Sequence, residues 1–136
     1  MKMSATIRNS LEKNEVRVQT DGDSRVLTIP SRPDGYGSAV NGGELLLLSI
    51  ATSFCNDLYR EAGKRDIAVS EVEVTATCEF NTEGEPGVNF RYKVFVKSKA
   101  SKEEVSDLII HTDKIAEIHN TIRQGTRIII EQGDKE

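Results

Sequence analysis

Apolar and polar residues alternate along two short segments near the start of the chain. Residues 15–20 and residues 25–29 each place every second side chain on one apolar face. The turn-forming run Asp21-Gly22-Asp23 separates them, so the pattern predicts a β-hairpin. Residues 5–8 are a candidate third strand. The glycine-containing residues 31–43 follow, and they predict an ordered loop of a length that often serves a function.

The hydrophobic residues that follow this loop recur at helical spacing. Asn41 and Glu44 match a capping box, so we expect a helix to begin here and to run to about Ala62, with Gly63 ending it. Its apolar stripe comprises Leu47, Ile50, Ala51, Phe54 and Leu58, and its opposite stripe comprises Ser49, Thr52, Ser53 and Asn56. A helix this apolar near its start is typical of a central, buried position.

Strict alternation returns in the second half of the chain. Residues 71–80 place small and apolar side chains on one face and charged or Thr side chains on the other, and residues 90–96 repeat the pattern. Gly84 and the pair Pro86-Gly87 lie between the two runs. The segments therefore predict an antiparallel pair of strands with one buried and one solvated face.

The last third of the chain predicts helices followed by one strand. Ser101 and Glu104 form a second capping box, and apolar residues then recur at helical spacing. We expect a break near Thr112-Asp113, an end at Gly125 and a final strand over residues 127–131. The order of hairpin, helix, hairpin, helices and strand predicts an α+β fold.

Composition narrows the class of protein. A length of 136 residues suits a single domain over residues 1–136. The net charge of -4, from 18 basic and 22 acidic residues, and the lack of a basic run argue against a nucleic-acid partner. The longest apolar run, residues 45–48, is too short to cross a membrane, and residues 1–10 do not resemble a signal peptide.

The two cysteines, Cys55 and Cys78, form no metal-binding or CxxC motif. We therefore expect a cytoplasmic protein with free thiols, without a metal or another cofactor. Burial as a small core residue is the expected role of Cys78. His119 is expected to be a partly buried histidine with a hydrogen-bond partner rather than a catalytic base.

Two motifs carry a resemblance to a known family. Residues 42–53 read Gly-Gly-Glu-Leu-Leu-Leu-Leu-Ser-Ile-Ala-Thr-Ser, and residues 116–122 read Ala-Glu-Ile-His-Asn-Thr-Ile. They resemble the E-L-L-L-A-A-L-A-A-C helix and the C-P-V-S-N-T-L segment of the OsmC/Ohr family, the osmotically inducible and organic hydroperoxide resistance proteins. The resemblance implies an OsmC-like α+β fold, with antiparallel sheets wrapped around a central buried helix, and an intertwined homodimer with two interface sites.

The resemblance also implies which residues occupy the reactive positions. In the family, one cysteine attacks the peroxide and a second resolves the sulfenic acid as a disulfide. These positions fall on Ser53 and Ala116, which cannot perform either step. Glu44 and Arg32 are the candidates for the acid and the arginine that hold the family's thiolate. A helix-capping role for Glu44 and a solvated loop position for Arg32 remain the alternatives.

Cys55 is an alternative nucleophile, because it lies two residues beyond Ser53. Two residues rotate a helical side chain by about 200°, which turns Cys55 toward the apolar stripe. An apolar setting raises the pKa of a thiol and leaves it unreactive. Cys55 is therefore either a buried structural residue or the nucleophile of a peroxidase that is resolved by an external thiol.

The polar stripe of the helix contributes the candidate ligand-binding residues Ser49, Ser53 and Asn56. Buried hydroxyls need hydrogen-bond partners, which come either from a pocket or from the preceding helical turn. One hypothesis is a non-peroxidatic OsmC-like homodimer with an interface pocket for a small apolar ligand. Another is a thiol-dependent organic hydroperoxide reductase acting through Cys55, and a third is a purely structural or partner-binding dimer. Whether the chain is an enzyme stays open at this stage.

Overall fold

A computed structural model describes residues 1–133 and shows a mixed α+β chain. In order, its elements are β1 (Met3–Ser10), β2 (Lys13–Thr20), β3 (Asp23–Leu27), α1 (Gly42–Lys64), β4 (Val69–Glu79), β5 (Val88–Ser98), α2 (Lys102–Ile115) and α3 (Glu117–Gln124). The strands form two antiparallel sheets, which confirms the predicted fold class. The chain divides into two units, Met1–Leu45 and Leu46–Glu136.

The first unit contains a three-stranded sheet in the order β1-β2-β3. The predicted hairpin and the candidate third strand are thus both confirmed. Val16 pairs with Ile7 on one side and with Leu27 on the other. Val16 is buried, whereas Ile7 and Leu27 are about half exposed. The backbone ladder forms as expected, but in a single chain the sheet covers little of its apolar surface.

The loop after β3 is ordered by hydrogen bonds. The Asn14 side-chain amide donates to the carbonyl oxygens of Ile29 and Gly37, each at 3.2 Å. Gly35 has φ +90°, and a Cβ there would lie 2.7 Å from the Leu11 Cδ1 atom. The left-handed backbone favours glycine at this position, whereas the exposed Leu11 side chain could move away from an added Cβ.

Helix α1 begins where the capping box predicts and ends slightly later than expected. Gly63 was predicted to end it, but the helix continues through Gly63 to Lys64. The end comes where Asp66 adopts φ 53° and the Ile67 N–H bonds the Ala62 carbonyl oxygen at 2.9 Å. Aspartate tolerates the left-handed conformation better than most residues, so it takes the role expected of glycine.

Burial along α1 is uneven. The buried residues of the helix are Ile50, Phe54, Leu58, Glu61 and Ala62. The first turns differ from the prediction of a helix buried from its start, because Leu45, Leu46 and Leu48 are 39%, 36% and 59% exposed. Full burial within the predicted apolar stripe therefore begins at Ile50 in a single chain, and Leu47 before it is half-buried.

The core of the second unit lies between α1, the β4-β5 hairpin, α2 and the junction residue Ala116. Its fully or almost fully buried members are Phe54, Leu58, Ala62, Leu108 and Ala116. The hairpin follows the predicted alternation, and it pairs Val72 with Val96 and Val74 with Val94 on the face that packs against this core. Phe80, predicted to share that face, lies beyond the end of β4 and is 57% exposed.

A buried carboxylate links α1 to α2. The Glu61 side chain contacts Arg60 at 2.9 Å, Lys64 at 3.0 Å and His111 at 2.9 Å. Hydrogen bonds from Arg60, His111 and Lys64 lower the pKa of Glu61 from 4.5 to about 2. Removing a charge from water is tolerated here because its oxygen atoms are hydrogen-bonded to cationic or polar groups.

The second helical stretch divides at Ala116 rather than near Thr112-Asp113 as predicted. The Ser101 hydroxyl accepts from the Glu104 N–H at 3.1 Å, which confirms the start of α2. Thr112 bonds back to the Leu108 carbonyl oxygen at 2.7 Å, so α2 continues past the predicted break. Ala116 then adopts an extended conformation between α2 and α3, and Gly125 ends α3 with φ 71°, as predicted.

The final strand predicted over residues 127–131 is wrong for the single chain. Residues 126–133 form no regular element, and Ile128, Ile129 and Ile130 are 97%, 74% and 86% exposed. Sequence pattern alone does not make a strand, because a strand needs a hydrogen-bonded neighbour. The described part of the chain does not supply one at this segment.

Candidate functional site

The polar stripe of α1 carries three of the predicted site residues. Ser49, Ser53 and Asn56 share one side of the helix through their spacing. Ser53 is half-buried, and its hydroxyl donates to the Ile50 carbonyl oxygen at 3.3 Å. Ser49 is also half-buried, whereas Asn56 is exposed. The Ser53 hydroxyl is therefore already bonded to the preceding helical turn.

Ala116, the other position that the resemblance assigns to a cysteine, lies in the core. It is fully buried and belongs to the same cluster as Phe54, Leu58 and Leu108. Its side chain is a methyl group without any polar atom. It can contribute packing here but no chemistry of its own.

Cys55 occupies a half-buried position on α1. Burial raises the pKa of the Cys55 thiol above its ordinary value. A raised pKa lowers the thiolate fraction, and the thiolate is the reactive form. Cys78 is likewise a free, half-buried cysteine on β4. The environment of Cys55 agrees with the interpretation of a structural residue.

Glu44 and Arg32 both belong to the first unit, and both have local partners. The Glu44 carboxylate accepts from the Asn41 N–H at 3.0 Å, and the Glu44 N–H donates to the Asn41 side chain at 2.8 Å. The predicted capping box is thus confirmed. Arg32 is exposed in the loop, and its Nε donates to the Ser38 carbonyl oxygen at 3.3 Å. Each side chain therefore has a structural role close to its own position.

A cleft of about 490 Å³, which the sequence did not predict, lies in the second unit. It is lined by Ile50, Phe90, Arg91, Tyr92, His119, Ile122 and Arg123. Its volume falls within the usual range of small-molecule sites. None of the predicted site residues lines this cleft, although Ile50 accepts the hydrogen bond from Ser53.

Three rings pack together beside the cleft. The ring centroids of Phe54 and Tyr92 are 5.0 Å apart, and those of Tyr92 and His119 are 4.5 Å apart in an edge-on arrangement. Phe54 and His119 are separated by 5.6 Å. These separations are typical of favourable aromatic pairs. The cluster fixes the positions of Tyr92 and His119 at the wall of the cleft.

A polar network holds the other side of Tyr92. The Tyr92 hydroxyl donates to the Asp113 carboxylate, which also accepts from Arg123 Nη2 at 2.7 Å. Burial and the bond to Asp113 raise the pKa of the Tyr92 hydroxyl. Burial opposes ionisation of Asp113, but hydrogen bonds from Tyr92 and Arg123 outweigh it and lower the pKa of this carboxyl group. Asp113 is therefore ionised and pairs with Arg123.

His119 differs from the sequence expectation of a partly buried histidine with a hydrogen-bond partner. It is only 5% exposed, and neither ring nitrogen has a hydrogen-bond partner among the described residues. Burial, and then the positive charge of Arg123, lower the pKa of His119. The ring is neutral at pH 7, with one N–H donor and one acceptor nitrogen that are both unused.

The cleft was not predictable from the sequence because its walls come from three separate elements, α1, β5 and α3. One sequence signal was present. His119 lies in an otherwise amphipathic helical pattern, one turn from Ile122 and on its apolar side. A histidine at that position indicates a buried imidazole. That its ring nitrogens have no hydrogen-bond partner among the described residues is seen only in the structure.

Two further observations concern the described part of the chain. No helix there is both long and apolar enough to cross a membrane. Residues 1–133 contain no group of three or more His, Cys, Asp or Glu side chains arranged to hold a metal ion.

These elements define an α+β protein with one three-stranded and one two-stranded antiparallel sheet, and comparison with known proteins gives its family. The model of the OsmC-like protein family matches residues 35–131. The chain therefore belongs to the OsmC-like family, as the two sequence motifs predicted. A search of the curated proteins found no match.

Solved structures agree with this assignment. An organic hydroperoxide resistance protein OsmC from Legionella pneumophila has a TM-score of 0.61 at 19% identity, and the match covers 90% of each chain. A putative organic hydroperoxide resistance protein from Vibrio cholerae, with captopril bound in one active site, has a TM-score of 0.60 at 20% identity and coverage of 92% and 86%. The organic hydroperoxide resistance protein OhrB of Bacillus subtilis gives 0.55 at 14% identity, with coverage of 92% and 93%. At such identities the likeness establishes the fold alone.

Proposed function

We propose that this OsmC-like protein is a non-peroxidatic homodimer that binds a small, mostly apolar ligand in a pocket between two copies. The observation that carries the proposal is Ser53 and Ala116 at the two positions that the resemblance assigns to the family's cysteines. A serine hydroxyl does not form a stable equivalent of a sulfenic acid, and a methyl group cannot resolve one. Hydroperoxide resistance proteins are thus relatives in fold whose two-cysteine chemistry this chain lacks.

The surroundings of the two positions support this proposal. The Ser53 hydroxyl is bonded to the Ile50 carbonyl oxygen at 3.3 Å, and Ala116 is fully buried. Glu44 and Arg32 both have hydrogen-bond partners close to them in sequence. Glu44 accepts a hydrogen bond from Asn41, and Arg32 donates one to the Ser38 carbonyl oxygen. The residues that would activate a sulfur in the family therefore serve as a cap and as a loop contact.

Exposed apolar side chains support the homodimer. Leu45, Leu46 and Leu48 at the start of α1 are exposed in a single chain, as are the three isoleucines of residues 128–130. Groups of exposed apolar residues are typical of protein interfaces. A second copy would cover these residues, and the segment over 127–131 would find in it the strand neighbour that the single chain lacks.

The remaining parts of the proposal follow from the same arrangement. Ser49, Ser53 and Asn56 would face the small ligand between the copies, and the two units would act as one OsmC-like domain over residues 1–136. We also propose a cytoplasmic location, because both cysteines are free and reduced thiols are typical of that compartment.

The direct test is an assay of hydroperoxide consumption. The purified protein is mixed with cumene hydroperoxide and a dithiol, and the remaining peroxide is measured over time. We expect no consumption above the rate in buffer, because there is no activated thiolate. Rapid, protein-dependent consumption would overturn the proposal.

The second candidate function is a thiol peroxidase that acts through Cys55. The observation that favours it is the position of Cys55 on α1, two residues from Ser53. Cys55→Ser and Cys78→Ser form a matched pair, since both cysteines are free and half-buried. Loss of peroxide consumption in Cys55→Ser alone would establish this function. Equal rates in the parent and both variants would exclude it.

The homodimer has its own test. We expect sedimentation equilibrium to give twice the chain mass of 15.1 kDa. Ile129→Asp should shift the protein toward the monomer, because it places a charge in the proposed interface. Gln132→Asp adds the same charge in the same segment without removing an apolar side chain, and it is the control. A parent protein that stays monomeric at high concentration would contradict the dimer.

A further inference from the structure

The cleft beside His119 is a second candidate binding site. It lies within one copy of the chain and does not depend on the proposed pocket between two copies. We propose that this cleft binds a small amphiphilic carboxylate. The carboxylate group pairs with the Arg91 guanidinium, and an oxygen of the ligand accepts a hydrogen bond from the His119 ring. The aliphatic part of the ligand packs against Ile50, Phe90 and Ile122.

The first observation is the unsatisfied imidazole. His119 is 5% exposed and lines the cleft, and neither of its ring nitrogens has a partner among the described residues. A buried polar group without a partner destabilises a fold, so such groups usually have a reason to persist. The edge-on contact with Tyr92 gives packing energy but does not replace a hydrogen bond. A ligand oxygen in the cleft would satisfy the ring N–H.

The second observation is the distribution of charge around the cleft. Arg123 is paired with Asp113 at 2.7 Å and also bonds the Asn120 side chain at 3.2 Å. Arg91 forms no ion pair with any residue in the described part of the chain. Arg91 is an exposed residue at the edge of the cleft, and no described carboxylate balances its guanidinium. An arginine fork is well suited to bind a carboxylate with two hydrogen bonds.

The third observation is the apolar character of the remaining wall. Ile50 comes from α1, Phe90 from β5 and Ile122 from α3. A simple inorganic anion would make no use of these side chains. An aliphatic chain would cover them and gain the free energy of apolar burial. The combination of one cation, one hydrogen-bond donor and three apolar side chains therefore fits an amphiphile.

The test uses octanoate as the probe and the intact protein in its natural oligomeric state. Isothermal titration calorimetry at pH 7 measures octanoate and octan-1-ol, which has the same chain without the carboxylate. We expect octanoate to bind at least about tenfold more tightly, because a charge-assisted hydrogen bond is worth that factor or more. Equal affinity for the two probes would exclude recognition of a carboxylate.

The Arg91 contact is tested with a matched pair on β5. Arg91→Gln should weaken octanoate binding by about tenfold, because it removes the charged fork. Lys93→Gln removes another exposed cation two residues along the same strand, outside the cleft lining. We expect this control to change the affinity by less than about twofold. Equal losses in both variants would indicate a general charge effect and would overturn the assignment to Arg91.

His119 is tested with a variant that keeps the aromatic packing. His119→Phe should weaken octanoate binding by about tenfold and at the same time raise the melting temperature, since it removes an unsatisfied buried group. His119→Gln keeps a donor and should bind more tightly than His119→Phe. A merely structural histidine would not give opposite changes in stability and binding.

The outcomes separate this inference from the proposed function. Absence of octanoate binding in the parent protein would overturn the carboxylate site, with the cleft then filled by a second copy or by water only. That result would leave the hydroperoxide assay unaffected. Conversely, peroxide consumption would overturn the non-peroxidatic proposal without altering the octanoate measurement.

Discussion

Phe54, Leu58 and Leu108 of the second unit are fully buried, whereas Val16 is the one buried apolar side chain within residues 1–45. Both units have well-formed backbone hydrogen bonds. In the second unit, the apolar faces of a hairpin and of α1 and α2 contribute to one core, which Ala116 between α2 and α3 completes. In the first unit, the sheet and its loop are joined by hydrogen bonds such as those from Asn14.

This difference shows which part of the chain can supply its own stability. Apolar burial is the main favourable term in folding, and a two- or three-stranded sheet without a covered face is only marginally stable in water. The second unit buries enough apolar surface with its own side chains to form a core. The apolar residues of the first unit are exposed in a single chain. This agrees with the proposal that a second copy buries them.

The largest expected effect is on the core of the second unit. Phe54→Ala should lower the free energy of unfolding by about 3–5 kcal/mol, because it leaves a cavity among fully buried neighbours. Phe95→Ala is the control, because Phe95 is 58% exposed on β5 and its loss should cost under about 1 kcal/mol. Urea unfolding at one protein concentration gives both values. Similar costs for the two variants would contradict the core as described.

Glu61→Gln should have the next largest effect at pH 7, and the effect should depend on pH. The folded-state pKa of Glu61 is about 2, below the ordinary 4.5, so the ionised carboxylate stabilises the folded state at pH values above 4.5. This contribution decreases as the pH falls from 4.5 to about 2. Urea unfolding between pH 7 and pH 2 should therefore show the parent and Glu61→Gln converging.

The control for this pH series is Glu73→Gln, which alters an exposed carboxylate on β4. We expect its stability to follow that of the parent at every pH. A constant difference between the parent and Glu61→Gln down to pH 2 would show that the loss is not linked to ionisation of Glu61.

A smaller effect is expected for the hydrogen bonds of the first unit. Asn14→Ala removes two bonds to loop carbonyl oxygens, each at 3.2 Å, and should cost about 1–2 kcal/mol. Asn9→Ala removes only the exposed bond between the Asn9 and Asn14 side chains. Chemical denaturation of both variants measures the difference. An equal cost would show that the loop is held by other contacts.

The smallest effect is expected on the sheet surface. Val26 is 70% exposed, and Val16 is 8% exposed. Val26→Thr should change the free energy of unfolding by less than about 0.5 kcal/mol, whereas Val16→Thr should cost more because a hydroxyl enters a buried position. A cost above about 1 kcal/mol for Val26→Thr, increasing with protein concentration, would show that a second copy covers this face.

The elements that depend on local pattern were predictable from the sequence. The capping pairs Asn41–Glu44 and Ser101–Glu104, the alternation of β4 and the end of α3 at Gly125 all appear as expected. Each rests on residues close together in sequence. The break at Ala116 was not predictable in the same way, because alanine favours helix, yet Ala116 has an extended backbone and is buried in the core.

Features that depend on distant residues were predicted less well. The strand expected over residues 127–131 needs a neighbour that the described chain does not provide, and Leu48 is exposed although its pattern suggests burial. The cleft around His119 combines α1, β5 and α3, which no local pattern connects. The family, by contrast, was predictable, since its two motifs are contiguous stretches of sequence.

Ala116 joins α2 to α3 while it is entirely enclosed by neighbouring side chains. An engineer who wished to give this protein a redox function would therefore face more than an exchange of two residues. A sulfur grafted at position 116 would replace a fully buried methyl group, and the neighbouring core side chains would have to move to admit it.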